Sequence, residues 1–182
     1  MNLRPLALAT AIAFSACGTD SAPEPAGGAR PPGAGPVELA HFRLDAGAVP
    51  AGRDATFDAH VSQDGAGSLR VETTRGGRLR LYELDDVGSV QGRLVYTGFL
   101  KSQDLRGRAF LEMWCRPAEG DPAFVRGVPR SVAGTSDWTP QEIGFSNPDL
   151  CRNPVSIELN VVIQGSGIVW IDDLRLWSVP VG

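Results

Sequence analysis

The stretch GSGIVWIDDLRLW (165–177) sets two carboxylates, Asp172 and Asp173, side by side in an otherwise apolar run. Paired acids can cleave a glycosidic bond, hold a metal or end a strand. Cleavage requires both carboxyl groups to flank one bond, about 5–5.5 Å apart in a retaining enzyme. Neighbours along a strand point to opposite faces, so this pair cannot act together and catalysis by it is excluded. A second constellation lies in RAFLEMWCR (108–116). Alternation there puts Ala109, Leu111, Met113 and Cys115 on one side, and Phe110, Glu112, Trp114 and Arg116 on the other. In VSIELNVVIQ (155–164) it turns Ile157, Leu159, Val161 and Ile163 inward and Glu158, Asn160 and Gln164 outward. A large ring between an acid and a guanidinium on an outward sheet face suits a sugar, which stacks on the ring and finds partners for its hydroxyls. Glu112, Trp114, Arg116 and Asn160 are therefore the candidate ligand-binding residues. The competing expectation is that loops or a terminal strand cover Trp114, since large aromatics are mostly well buried.

Other chemistry is missing. His41 and His60 are the only histidines, too few and too isolated for a His-rich metal site or a Ser-His-Asp arrangement. No HExxH, G-x-S-x-G or P-loop pattern occurs, and Gly134-Thr135-Ser136 fails at Trp138. The expectation is a protein that is not an enzyme. Seventeen Lys and Arg against 21 Asp and Glu give a net charge of −4, with arginine scattered, so nucleic acid is not an expected partner.

The elements that must position these residues are strands. Apolar or alternating runs recur at 68–73, 79–84, 93–101, 108–116, 140–145, 155–164 and 168–177, punctuated by Gly, Pro, Asp and Asn. No window holds a helical period. Such a pattern predicts an all-β, two-sheet β-sandwich of jelly-roll type over 37–182. The 117–133 stretch (PAEGDPAFVRGVPRSVA) reads as a loop.

Residues 1–16 carry one early Arg4 and then an uncharged apolar stretch too short to span a bilayer, as in a bacterial export signal. Phe14-Ser15-Ala16-Cys17 resembles a lipoprotein cleavage box, which implies acylation of Cys17; ordinary secretion with an unmodified Cys17 is the alternative. Residues 17–36 are rich in Pro, Gly and Ala and read as a linker reaching about 25 Å. The expected location is the bacterial cell envelope, with the membrane as partner through the lipid anchor. The absence of an acid after Cys17 leans toward the outer membrane. Lipidation of Cys17 leaves Cys115 and Cys151, which an oxidising compartment pairs as a disulfide; two free buried thiols are the other possibility.

The segments GTSDWTPQEIGF (134–145) and GSGIVWIDDLRLW, with DGAGSLRVE (64–72) earlier, resemble galactose-binding-like jelly rolls, a superfamily that includes many carbohydrate-binding modules. That resemblance implies a galactose-binding-domain-like fold and a carbohydrate ligand. It also implies that Asp172 helps hold a structural Ca2+, with Asp45 or Glu38 as an early acid and the Gln63-Asp64-Gly65 turn supplying carbonyls; Asp172, Asp45 and Asp64 form the expected metal set. The alternative is that Asp172 caps backbone amides or pairs with an arginine. Asp173 is expected to face solvent or meet Arg175. Two functions compete: a lipid-anchored module recognising glycan on one sheet face, or an envelope protein-interaction or scaffold domain using that face or the 117–133 loop.

Overall fold

The computed structural model describes residues 35–46, 55–88, 90 and 92–181. The predicted signal peptide and almost all of the predicted linker lie outside the described residues. Among the described residues the chain runs β1 (Val37–Phe42), β2 (Ala55–Asp58), β3 (Ser68–Thr73), β4 (Gly76–Asp85), β5 (Arg93–Pro117), β6 (Ala123–Arg126), β7 (Val132–Gly144) and β8 (Pro154–Val179), with 3-10 turns at Val128–Arg130 and Pro148–Cys151. All pairings are antiparallel.

The two longest strands merge what the sequence presents as four. Residues 93–101 and 108–116 belong to β5, and 155–164 and 168–177 to β8. Their glycines bend the chain instead of ending it. Gly107 and Gly165 face each other across the ladder at φ 137° and 105°. A Cβ on Gly107 would come within 1.8 Å of the Gln164 carbonyl oxygen, and one on Gly165 within 1.9 Å of that of Arg106. No other residue type permits that approach in that conformation.

The bend folds one continuous ladder into two leaves. The first half of β5 and the second half of β8 pair with each other and carry β7, β1, β3 and, beyond β3, β2. The second half of β5 and the first half of β8 carry β6 and β4. Leu69, Tyr96, Leu100 and Ile171 from the first leaf share one buried cluster with Leu111, Met113, Ile157 and Leu159 from the second. This is the expected jelly-roll sandwich. Cys115 and Cys151 form a disulfide with Cα atoms 5.9 Å apart, fastening the second 3-10 turn to β5.

Strict register breaks at several points along the ladders, and the break opposite Gly98 corrects the simple reading of Asp172 and Asp173. Thr97 pairs with Arg175 and Phe99 with Asp172, so two residues of β8 oppose Gly98 alone. Asp173 is the bulged residue, at φ 47°. The extra residue shifts the positions that join the central core from Val169 and Ile171 to Leu174 and Leu176.

Candidate functional site

The structure brings all four predicted ligand-binding residues to one face, the outer side of the leaf built from β4, β8, β5 and β6. Asn160 stands opposite Glu112 on one flank and Arg80 on the other, and Trp114 stands opposite Glu158 and Phe124. Glu112 is wholly buried. Its carboxylate receives Arg78 Nε and Arg126 Nε, each at 2.5 Å, and the indole N–H of Trp114 at 2.8 Å. Burying a carboxylate is costly unless it is paired and hydrogen-bonded, and three donors meet that condition here. Arg116 reaches Glu158 at 2.5 Å and Glu83 at 3.4 Å.

Trp114 is half-buried. Its ring stacks on Phe124, with centroids 4.7 Å apart, and the Arg78 guanidinium lies 5.1 Å from its centroid. The cover expected of a loop is thus supplied in part by β6, a four-residue strand inside the 117–133 segment. Phe124 itself is 49% exposed. At the centre of the face Asn160 is buried, and neither its Oδ1 nor its Nδ2 meets a partner among the described residues. A buried amide left unpaired on both atoms costs free energy, so this position is not explained by the sheet alone.

Sequence reasoning missed Arg78, Phe124 and Arg126. Arg78 shares the alternation of GGRLRLYEL with Arg80, one residue before the predicted strand begins. Phe124 and Arg126 alternate with Ala123 and Val125 over four residues only, too short a signal against the surrounding Pro, Gly and Asp.

The predicted metal residues are organised differently. Asp172 is buried, and its oxygens accept the amides of Gln63 and Asp173, each at 2.8 Å. Burial pushes its carboxyl above the usual range, and the nearby charges of Asp64 and Asp173 add to that, while the two amides pull it down. Arg43 stands 3.6 Å from Asp45 and 3.5 Å from Asp64. The carbonyl of Ser62 is taken by the Trp138 indole N–H at 3.0 Å and that of Val61 by the Ser68 hydroxyl at 2.6 Å. Among the described residues no group of three or more His, Cys, Asp or Glu is arranged to hold a metal. Asp45 Oδ1 is buried without a partner among the described residues. Asp173 pairs with Arg175 at 3.0 Å, as expected, and also with His41 at 2.6 Å.

Two leaves joined by two bent strands make a jelly roll, and this fold is similar to that of several solved carbohydrate-binding modules. The CBM22-1 xylan-binding domain of Paenibacillus barcinonensis Xyn10C is similar at TM-score 0.57 and 17% identity, over 82% of this chain and 98% of that one. A xylan-binding domain from CBM 22 is similar at TM-score 0.56 and 13% identity, over 81% and 97%. A family 16 carbohydrate-binding module gives 0.50 and 12%, over 71% and 90%. At these identities the likeness is one of fold. No protein-family model matches the sequence, and no curated protein is significantly similar to it.

Proposed function

We propose that the sandwich is a non-catalytic carbohydrate-binding module that receives a glycan on the outer face of the β4–β8–β5–β6 leaf. The observation that carries this is the convergence there of a half-buried indole with Glu112, Arg116 and the unpartnered amide of Asn160. The stacked Trp114 and Phe124 supply an apolar platform, and Asn160 supplies both a donor and an acceptor for a ring hydroxyl. Arg80, opposite Asn160 in the ladder, is 58% exposed and pairs with Glu83 at 2.8 Å. Similar folds named as xylan-binding support this reading. Acylation of Cys17 and the 17–36 linker would hold the module at the cell envelope.

The test is binding to a panel of polysaccharides by the wild type and by Trp114→Phe and Trp114→Ala variants whose melting is checked. Loss of binding in a folded Trp114→Ala protein supports the site. A folded wild type that binds no glycan transfers the face to the competing protein-docking reading, which draws on the exposure of Phe124.

A structural calcium would rest on Asp172 and main-chain carbonyls, because Asp45 and Asp64 share the Arg43 guanidinium and Asp64 also accepts the Ala66 amide. Calcium requires six to eight oxygens. A melting temperature that chelator lowers supports the ion; one that chelator leaves unchanged removes it from the reading.

A further inference from the structure

Positive charge is distributed unevenly along the proposed glycan face. At one end Arg80 and Arg116 are matched by Glu83 and Glu158. At the other, nearest the Gly107–Gly165 bend, stand Arg78, Arg126 and Arg108. Among the described residues Glu112 is the one carboxylate that Arg78 and Arg126 meet, and Arg108 meets only the amide oxygen of Gln164, at 2.8 Å. Two guanidinium charges against one carboxylate leave a local positive surplus, enlarged by Arg108, on a chain whose overall charge is −4.

The two guanidiniums are also held in place. Each is bonded to the buried Glu112 through Nε, Arg78 also through one terminal nitrogen at 3.4 Å, and each lies by an aromatic ring, Arg78 5.1 Å from the Trp114 centroid and Arg126 4.8 Å from that of Phe124. Arg126 makes no other hydrogen bond or ion pair among the described residues, so its terminal nitrogens are free to donate. Both side chains are about two-fifths exposed, at 43% and 42%. A guanidinium already fixed by a bond and a ring loses little further freedom when an anion arrives, and its fork matches a carboxylate. Nearby, on the same face, lies the buried and unpartnered Asn160 amide.

We infer that the glycan received here is anionic, a chain of carboxylate-bearing (uronic acid) sugars. Its carboxylate meets the terminal nitrogens of Arg78 and Arg126, and a ring hydroxyl meets Asn160. The inference rests on the glycan reading of this face and narrows its ligand class.

The experiment measures binding of the full-length chain in detergent to polygalacturonate and alginate, and to the same polymers after carboxyl reduction, at low and at high salt. The acidic forms are expected to bind at least about tenfold more tightly than their neutral counterparts. That advantage shrinks as salt rises. Arg126→Gln brings the ratio toward one. Arg108→Gln, which leaves the partners of Glu112 intact, lowers it by a smaller factor and serves if Arg126→Gln disturbs folding. Equal or tighter binding of the neutral polymers overturns the inference and leaves the glycan reading standing. A ratio that both variants leave unchanged overturns it as well. Failure of either acidic polymer to bind also overturns it, and the neutral polymers then decide the broader reading.

Discussion

The two outer faces of the sandwich are built from the same two strands, yet they treat their polar groups differently. On the β2–β3–β8–β5–β7 leaf, Trp170 donates to Asp58 at 2.9 Å and Trp177 to Thr97 at 3.2 Å. There too Asp173 holds both His41 and Arg175, and Lys101 meets Asp137 at 2.7 Å. On the β4–β8–β5–β6 leaf, Glu112 gathers three donors, but Asn160 is left unpaired and the heads of Arg126 and Arg108 remain available. A face whose outward groups are paired locally contributes to stability. A face that keeps preformed but unsatisfied groups is one where a ligand can complete the pairing. The difference teaches that aromatic content alone does not mark a site, since Trp170 and Trp177 lie on the satisfied face.

The largest expected effect comes from the disulfide, which clamps the second face between Trp114 and Arg116. Replacing Cys115 and Cys151 with serine opens a bridge of sequence separation 36. The loss of stability is about 4 kcal/mol on the chain-entropy model, read by chemical denaturation. Glycan affinity is expected to fall even where the protein stays folded, because β5 loses its anchor at the site. Unchanged affinity would separate the clamp from the face.

Asn160→Leu sharpens the comparison by moving two readouts in opposite directions. Removing an unpartnered buried amide is expected to raise stability by about 1 kcal/mol. The same change removes the proposed partner of a ring hydroxyl and should weaken glycan binding severalfold. A variant that loses stability and binding together would show that Asn160 is a packing residue like those of the other face.

Asp58→Ala probes the satisfied face, with an expected cost of about 1 kcal/mol and no change in glycan binding. The Trp170 indole, foremost, and the amides of His60 and Val61 hold the Asp58 carboxyl below its usual value of 3.8. A depressed carboxylate contributes stability that is present above the unfolded value and is lost as pH falls through the folded one. The gap between wild type and variant should therefore be full at neutral pH and close below about pH 4. A gap that persists in stronger acid would assign the loss to packing around Trp170.

Much of this was legible from alternation. RAFLEMWCR and VSIELNVVIQ place Glu112, Trp114, Arg116 and Asn160 on one side because a strand has no other option, and the structure keeps them there. The bulge beside the pair in WIDDLRL was masked in the sequence. Core positions fall at 169 and 171 and then at 174 and 176, a change of parity produced by Asp173, but Ile168 and Trp170 are apolar too and hide it. Reading the stretch as uniform strand missed it. What alternation cannot supply is which strands become neighbours. Arg78 and Arg126 reach Glu112 from strands separated from it by 34 and 14 residues, through a ladder set by the glycine bends. The disulfide was legible for a different reason: one cysteine assigned to the anchor left two to pair.

The smallest expected effect lies in the core between the faces. Tyr96 is wholly buried in β5 and its hydroxyl meets no partner among the described residues. Burial raises its pKa far above the ordinary tyrosine value, since the phenolate has no compensating donor there. Tyr96→Phe removes an unpaired polar atom while keeping the ring that fills the space. Stability should rise by about 0.5–1 kcal/mol, with glycan binding unaltered. Here the unsatisfied group is enclosed by the two leaves, whereas Asn160 belongs to the outer face, with Glu112 and Arg80 as its neighbours across the ladder. If Tyr96→Phe changed binding as well as stability, the outer face would not be independent of the core beneath it, and the contrast between an enclosed orphan and one a ligand can reach would fail.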